Sequence, residues 1–383
     1  MDILVFSPYY PPHRGGLETH SDEFNKHFSK QGAHITVFTP HLPITAPHQE
    51  IIHTGVKIIR YPAIEVIHNY PIPIFWKKEF WTLWENLSQE KYSLVISRTR
   101  FFFPSLMAGH YARKVRAPWI HIEHGSDFAQ FESASKNFLG KVYDYTLGRF
   151  ILKQATLVIA NSEASKQFVE KLSRRTDCQV IYRGVEKELI LSAPMAEDFK
   201  NQHSDKFIIG YIGRLIEGKG VRDLIQAFVE ASIPQALLVI IGDGPEQDRL
   251  KELVQNTSSQ SQVIFLGALP LPLAMGYLKT FDIFVNPSYT EGIPTSVIEA
   301  ALLKKAIIAT NVGGTNEIIS GEEDGILIEA RDREAIKKAL LTLSSQPKLL
   351  ESYAANAQEK VSSLFVWEKA IEKYQKLFAQ FLS

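Results

Sequence analysis

Short apolar runs rich in β-formers alternate with amphipathic helical stretches along nearly the whole chain, and this alternation restricts the fold more than any other feature. In the first half the runs are Ile3–Phe6, Ile35–Phe38, Lys57–Arg60, Leu94–Ile96, Trp119–Ile122, Leu157–Ile159 and Gln179–Ile181. Helical spacing covers Leu17–Lys30, Trp76–Leu87, Pro104–Lys114, Lys136–Lys153 and Glu163–Leu172. The second half repeats the scheme with strands Phe207–Ile212, Leu237–Ile241, Val263–Leu266, Ile283–Val285, Ala306–Ala309 and Ile326–Ile328. Strands joined by crossover helices pair parallel, and a parallel sheet is covered by helices on both faces. The expected class is therefore α/β, with two Rossmann-like, doubly wound domains.

Periodicity lapses between Val185 and Ser204, where polar residues collect. A chain of 383 residues also exceeds the roughly 250–300 at which a single core stops growing. The expected division is a first domain over residues 1–186 and a second over 205–364, with a closing helix over 365–383 packing back on the first. Ligands of such sheets bind beyond the carboxyl ends of the strands. Two such domains facing each other enclose a central cleft.

The second domain opens with Gly213-Arg-Leu-Ile-Glu-Gly-Lys-Gly220, directly after a strand and ahead of a helix. Glycines at that turn let backbone approach an anion, and the helix N-terminus adds positive potential. Arg214 and Lys219 add two cations suited to a diphosphate, Arg214 in a bidentate manner. The segment narrowly misses the P-loop pattern, since Gly220 stands where a magnesium-holding serine or threonine belongs. The alternative is a tight turn with two solvated cations.

Further on lies Asn286-Pro-Ser-Tyr-Thr-Glu291-Gly-Ile-Pro-Thr-Ser-Val-Ile-Glu299. Pro294 sits where a helix can start. Glu291 then falls on the loop at the strand's end, and Glu299 inside the helix. Two carboxylates at different depths can grip hydroxyls of two different sugars, with the N–H groups of Gly292 and Ile293 facing the same ligand. Ser296 and Glu299 also fit a helix capping box. Glycine pairs at Gly15-Gly16 and Gly313-Gly314 follow strands in both halves and can bring amides to a phosphate or sugar. Glu123-His124-Gly125-Ser126-Asp127 ends another strand. His124 can bond a hydroxyl, and Asp127 can orient it or act on an acceptor. His13 and Arg14, just before Gly15, are acceptor candidates.

These residues together resemble glycosyltransferase family 4, the retaining enzymes of GT-B architecture. Glu291 and Glu299 match the family's glutamate–seven-residues–glutamate motif, and Gly213 to Gly220 its G-R-L-x-x-x-K-G motif. Gly15-Gly16 match its N-terminal glycine pair and His124-Gly125 its histidine-glycine element, while the stretch around Trp367 resembles its closing helix. The resemblance implies that Arg214 and Lys219 hold the donor diphosphate and stabilise the leaving nucleotide. It implies that 1–186 is the acceptor-side domain and 205–364 the donor-binding domain, that Glu299 binds the ribose and that Glu291, with Gly292, Ile293 and Pro294, binds the donor sugar. His124 would contact that sugar from the first domain. It implies no metal and no cofactor beyond a UDP- or GDP-sugar donor, and a glycan, lipid-linked or cell-envelope polysaccharide acceptor. At Ile293-Pro294 the chain departs from members that carry a second glycine or a phenylalanine there.

Composition narrows the alternatives. Net charge is zero, so nothing global points to nucleic acid. The lone Cys178 excludes a disulfide framework and a cysteine-rich zinc site and fits a reducing compartment. The start, MDILVFSPYYPP, reads as a first strand and not a signal peptide. No apolar run approaches the roughly 20 residues of a membrane span. The expected location is cytoplasmic or peripheral at the inner face of the cell membrane. For the latter, residues 1–190 carry about +5 and the remainder about −5. Aromatic and basic residues also interleave over Ile72–Trp84 and Arg98–Phe103, as at an interfacial surface or in a helix packed on a sheet. A sugar-nucleotide epimerase, or a non-catalytic nucleotide-sugar binder, is the competing function. A dinucleotide oxidoreductase is weaker, because no G-x-G-x-x-G follows the first strand.

Overall fold

The computed structural model describes residues 1–13, 15–67, 70–128, 134–257 and 260–381. The chain divides into two units, Met1–Arg183 with Ala370–Ser383, and Gly184–Lys369. Both are doubly wound α/β units.

The first unit holds β1 Asp2–Phe6, β2 His34–Pro40, β3 Gln49–Ile52, β4 Val56–Tyr61, β5 Ala63–Ile67, β6 Tyr70–Pro73, β7 Leu94–Arg98, β8 Trp119–Glu123, β9 Leu157–Ala160 and β10 Gln179–Val180. Its main sheet has the order β10-β9-β8-β7-β1-β2-β4-β3. All neighbours are parallel except β3, which runs antiparallel on the edge beside β4. Strands β5 and β6 form a separate antiparallel hairpin. The central strands read as unbroken apolar runs because both faces are covered, as β1 shows with Ile3, Leu4, Val5 and Phe6 all buried. Aromatic rings fill one side of the core, with Phe6 edge-on to Phe38 at 5.7 Å. The closing helix Trp367–Phe378 brings Tyr374 within 5.0 Å of Phe24 and Phe378 within 5.6 Å of Phe28.

The second unit holds β11 Phe207–Ile212, β12 Ala236–Ile241, β13 Val263–Gly267, β14 Ile283–Asn286, β15 Ala306–Thr310 and β16 Ile326–Ile328. The order is β13-β12-β11-β14-β15-β16, all parallel. In each unit the winding direction reverses beside the first strand. The reversal lies between β1 and β7 in one unit and between β11 and β14 in the other; the loops leaving β1, β11 and β14 carry candidate residues, and His124 and Asp127 follow β8, beside β7.

Three expectations change in detail. The helical stretch over 136–153 is a helix Ala134–Tyr143, a π-helical turn Asp144–Gly148 and a helix Arg149–Gln154. The region 185–204 is not wholly irregular; it contains the short helices Lys187–Ser192 and Glu197–Gln202. The basic groups of Arg98–Phe103 do not face outward, since Arg98 and Arg100 are both buried. Ile72–Trp84 splits: Phe80 and Trp84 join the core, whereas Trp76 is 76% exposed and Trp81 is also exposed.

Gly210 on β11 shows how closely the second unit packs. A Cβ there would lie 1.9 Å from the ring of the buried Phe281. Gly210→Ala is therefore expected to destabilise this unit by about 1–3 kcal/mol through overpacking. Adding Phe281→Leu should restore part of the loss. Urea unfolding followed by a probe in the second unit checks both.

Candidate active site

In the second unit β11 ends at Ile212 and the chain turns through Gly213 and Arg214. The hydroxyl of Tyr211 donates to the Arg214 carbonyl at 3.0 Å, and the buried Leu215 anchors the next residue, its N–H bonded to Asp243 O at 2.7 Å. Arg214 is left with its side chain exposed. A single 3₁₀ turn, Glu217–Lys219, leads to Gly220, which has φ +64° and N-caps the helix Val221–Ala231. Gly220 needs to be glycine twice over: its φ is left-handed, and a Cβ would lie 2.1 Å from Pro287 O. That close approach seats the 213–220 loop on the loop that follows β14, where Tyr289 N–H also bonds Gly218 O at 2.8 Å.

The same seating joins two residues predicted from separate motifs. Lys219 Nζ lies 2.6 Å from Glu291 Oε1, with the carboxylate side chain 11% exposed and the ammonium side chain 25%. Ser288 Oγ donates to the same oxygen at 2.7 Å, and Asn286 Nδ2 approaches it at 3.4 Å. Asn286 Oδ1 accepts from Ser288 N–H at 3.3 Å and lies 2.6 Å from the Ser288 hydroxyl, whose single proton it competes for with Glu291. Glu291 is thus held by three donors, and Lys219 carries a carboxylate against its charge. Sequence reasoning quoted Asn286 and Ser288 but gave them no role. The signal was two polar residues flanking a proline at the end of an apolar strand.

Gly313, at φ +56°, packs against the Glu291 carbonyl, and Gly314 N–H donates to Gly292 O at 2.7 Å. Here the second glycine pair secures the Glu291–Ile293 loop. The helix Thr295–Leu302 starts after Pro294 as its N-cap, with no side-chain cap hydrogen bond. Ser296 is therefore inside the helix, and the capping-box reading does not hold. Glu299 lies on the second turn and is partly buried.

In the first unit the helix Gly16–Lys30 begins at the predicted glycine pair, with Gly15 as N-cap. The Glu18 carboxylate folds back against Gly15, leaving no room for a Cβ. It also accepts from His13 Nδ1 at 2.9 Å, and the His13 ring stacks on Tyr9 at 4.2 Å. Arg14 lies outside the described residues.

The turn that carries His124 rests on a buried polar chain. Trp119 Nε1 donates to Ser97 Oγ at 2.8 Å, Ser97 Oγ lies 2.8 Å from His121 Nδ1, and His121 Nε2 lies 3.3 Å from Glu123 Oε2. Glu123 Oε1 accepts from His124 N–H at 3.0 Å and Gly125 N–H at 2.8 Å and meets Arg100 Nη1 at 3.1 Å. Arg100 also binds Asp144 through Nε at 2.9 Å. Burial alone would raise the Glu123 carboxyl, but Arg100, His121 and the Gly125 amide hold it well below the ordinary carboxylate range. Glu123, Arg100 and Asp144 are the residues the sequence reading passed over. Asp127 is exposed and its carboxylate accepts from Phe128 N–H at 2.7 Å. The group beside His124 Nδ1 is Asn161, at 3.5 Å. Among the described residues no cluster of three or more His, Cys, Asp or Glu is placed to hold a metal ion.

Known proteins are similar to this chain along its whole length. The family model described as Glycosyltransferase Family 4 matches residues 14–189, and that described as Glycosyl transferases group 1 matches residues 195–360. An uncharacterized glycosyltransferase of Methanocaldococcus jannaschii is 36% identical over 391 residues, spanning 100% of this chain and 99% of its own. An Escherichia coli UDP-Gal:alpha-D-GlcNAc-diphosphoundecaprenol alpha-1,3-galactosyltransferase is 28% identical, covering 79% of each chain. Among solved structures, sucrose-phosphate synthase of Thermosynechococcus elongatus superposes with a TM-score of 0.80 at 22% identity, covering 99% of this chain and 98% of its own. Anabaena HepE in complex with UDP gives 0.78 at 20%, covering 99% and 100%. With a relative matching along its whole length and both halves of the family represented, the chain belongs to glycosyltransferase family 4 and has the GT-B fold.

Proposed function

We propose that this glycosyltransferase transfers a sugar, with retention, from a UDP- or GDP-sugar to a glycan or lipid-linked acceptor of the cell envelope. The observation that carries this reading is the Lys219–Glu291 pair, 2.6 Å apart, at the strand-order reversal of the second unit. Arg214 and Lys219 bind the diphosphate, Glu299 the ribose, and Glu291 with Gly292, Ile293 and Pro294 the sugar. In the transfer the bond from C1 to the phosphate oxygen breaks and the bond from C1 to the acceptor oxygen forms on the same face. The acceptor proton passes to the leaving phosphate. Charge developing on that phosphate is met by the two cations and the helix N-terminus beyond Gly220, so no metal is required. The E. coli relative named above, with its UDP-sugar and diphosphoundecaprenol, supports testing a UDP-sugar and a lipid-linked acceptor first.

Lys219→Ala combined with Arg214→Ala is expected to lower transfer by at least about 100-fold; a wild-type rate would overturn the phosphate assignment. Glu291→Ala separates sugar from nucleotide. It removes a carboxylate from Lys219, so bare UDP or GDP should bind as well as before or better, while transfer collapses. Equal loss of both, measured by calorimetry and turnover, would sink the proposed role.

We also propose that the first unit rests on an anionic lipid surface through residues 134–154. Phe138, Leu139, Val142, Tyr145, Leu147 and Phe150 are all exposed there. Lys136, Lys141 and Lys153 are exposed beside them, while the segment's acid, Asp144, is buried against Arg100. An outward face of apolar rings and cations suits the headgroup boundary. Sedimentation with phosphatidylglycerol vesicles at low salt should retain the full chain. Phe138→Ser with Phe150→Ser should release it without changing nucleotide binding. No binding by the wild type would remove the proposal.

A further inference from the structure

Among the described residues of the first unit, three arginines are fully or almost fully buried: Arg60, Arg98 and Arg100. Two are neutralised. Arg60 pairs with Glu50 at 2.6 Å, and Arg100 with Glu123 and Asp144. Arg98 has no carboxylate against it among the described residues. Its Nη1 meets His20 Nδ1 at 3.0 Å, its guanidinium lies over the Phe24 ring at 4.8 Å, and its Nε and Nη2 have no hydrogen-bond partner. Burial lowers its pKa only to about 10, so it remains charged at neutral pH. An unpaired buried charge is strongly destabilising. A charge kept at that cost, directly behind the switch point of β1 and β7, calls for a use other than stability.

The neighbouring groups point to the use. An arginine can only donate, so His20 Nδ1 is an acceptor and its proton sits on Nε2. The His20 ring stands edge-to-face with His124 at 4.8 Å. On the other side of His124, Ser165 Oγ donates to Asn161 Oδ1 at 2.9 Å, which turns Asn161 Nδ2 toward His124 Nδ1. His124 Nδ1 is then the acceptor, and Nε2 bears the proton. That Nε2 is enclosed and has no hydrogen-bond partner among the described residues. An enclosed N–H without a partner is what a bound substrate oxygen would satisfy.

We propose that Arg98 is a positioning residue that, through His20, presents His124 as a neutral imidazole with its Nε2–H directed to a substrate oxygen. This rests on the sugar-transfer reading for the substrate, but not for the state of His124. Groups facing His124 are Arg98 from the end of β7, His20 from the helix Gly16–Lys30, His121 and Glu123 from β8, and Arg183. Burial is the largest effect on His124 and the Arg98 charge the next; together they lower its pKa to about 3, against a smaller opposing pull from Glu123. His124 therefore stays neutral across the working range and serves as a hydrogen-bond donor, not as an acid that exchanges its charge.

The test compares Arg98→Gln, which keeps an N–H for His20 and drops the charge, with Arg98→Lys, which keeps the charge. Histidine ¹⁵N spectra of the full chain without substrate, with the His124 signal identified by its loss in His124→Gln, report tautomer and protonation from pH 4 to 7. The wild type and Arg98→Lys are expected to show neutral, Nε2-protonated His124 throughout. In Arg98→Gln the His124 titration should move up by about 1–3 units, the size of one nearby charge. Arg98→Gln should unfold at or above the wild-type temperature, since an unpaired buried charge has gone, while its transfer at saturating donor gains an acid limb below pH 6 that the wild type and Arg98→Lys lack. An unchanged His124 titration in folded Arg98→Gln overturns the proposal. So does a lowered unfolding temperature or failure to fold, because Arg98 would then be a structural residue. If no donor supports transfer by the wild type, the sugar-transfer reading fails while the spectra still decide the role of Arg98.

Discussion

The reversal of strand order between β11 and β14 is the constraint on which the donor half depends. It lays two loops side by side that are 72 residues apart in sequence. Nothing in either loop alone would put an ammonium on a carboxylate. The contact works because glycine at position 220 lets the backbone approach Pro287, and because glycine at 313 supports Glu291 from the other side. The helix that starts after Gly220 and the pair Lys219–Glu291 then share one wall. A similar reversal between β1 and β7 gathers the first-unit loops around His124. The two halves use the same topological device with different chemistry: ion pairing at the surface in one, a buried polar chain in the other.

The Lys219–Glu291 pair also has a consequence for how an anion enters. A lysine facing solvent alone would present a full charge. Here Glu291, Ser288 and Asn286 form a preset network in which the lysine is already committed. Because both side chains remain partly exposed, the pair is only modestly stabilising. It is therefore better understood as an arrangement that fixes direction than as a brace for the fold. The first unit shows a parallel case, with the Glu18 carboxylate lying against Gly15 at the start of a helix, where positive potential collects.

Much of the fold was legible because a parallel sheet buried on both faces leaves continuous apolar runs. Those runs place β1, β11 and β15 within a residue or so of their observed ends. Strands β3, β5 and β6 were missed for the converse reason. β3 is a four-residue edge strand of alternating exposure, and the β5–β6 hairpin carries Pro71 and Pro73, which are turn signals as much as strand residues. The helical period over 136–153 was correct in kind but silent about the π-helical turn at Asp144. That turn follows from a tertiary demand, since Asp144 is drawn inward by Arg100. In the site, spacing revealed each motif and left the pairing between motifs unread. Ser296 to Glu299 fitted a capping box by spacing, yet Pro294 is the N-cap, two residues earlier.

Arg98 and Arg100 show where sequence reasoning loses its grip on charge. Among three phenylalanines the two read as one basic, aromatic surface. In the fold both are buried, and they differ in what answers them. Arg100 meets carboxylates from positions 123 and 144, so its charge is spent on holding the His124 turn against the sheet. Arg98, two residues earlier, meets only an imidazole and a ring face, so its charge is spent on nothing nearby. A buried cation that is paired organises its surroundings through hydrogen bonds, whereas one left unpaired acts through its field on whatever can titrate close by. The nearest such groups are His20 and His124; burial pushes both toward the neutral form, and the Arg98 charge pushes the same way. The same short segment thus fixes the position of the histidine through one arginine and, through the other, adds to the burial that keeps it neutral.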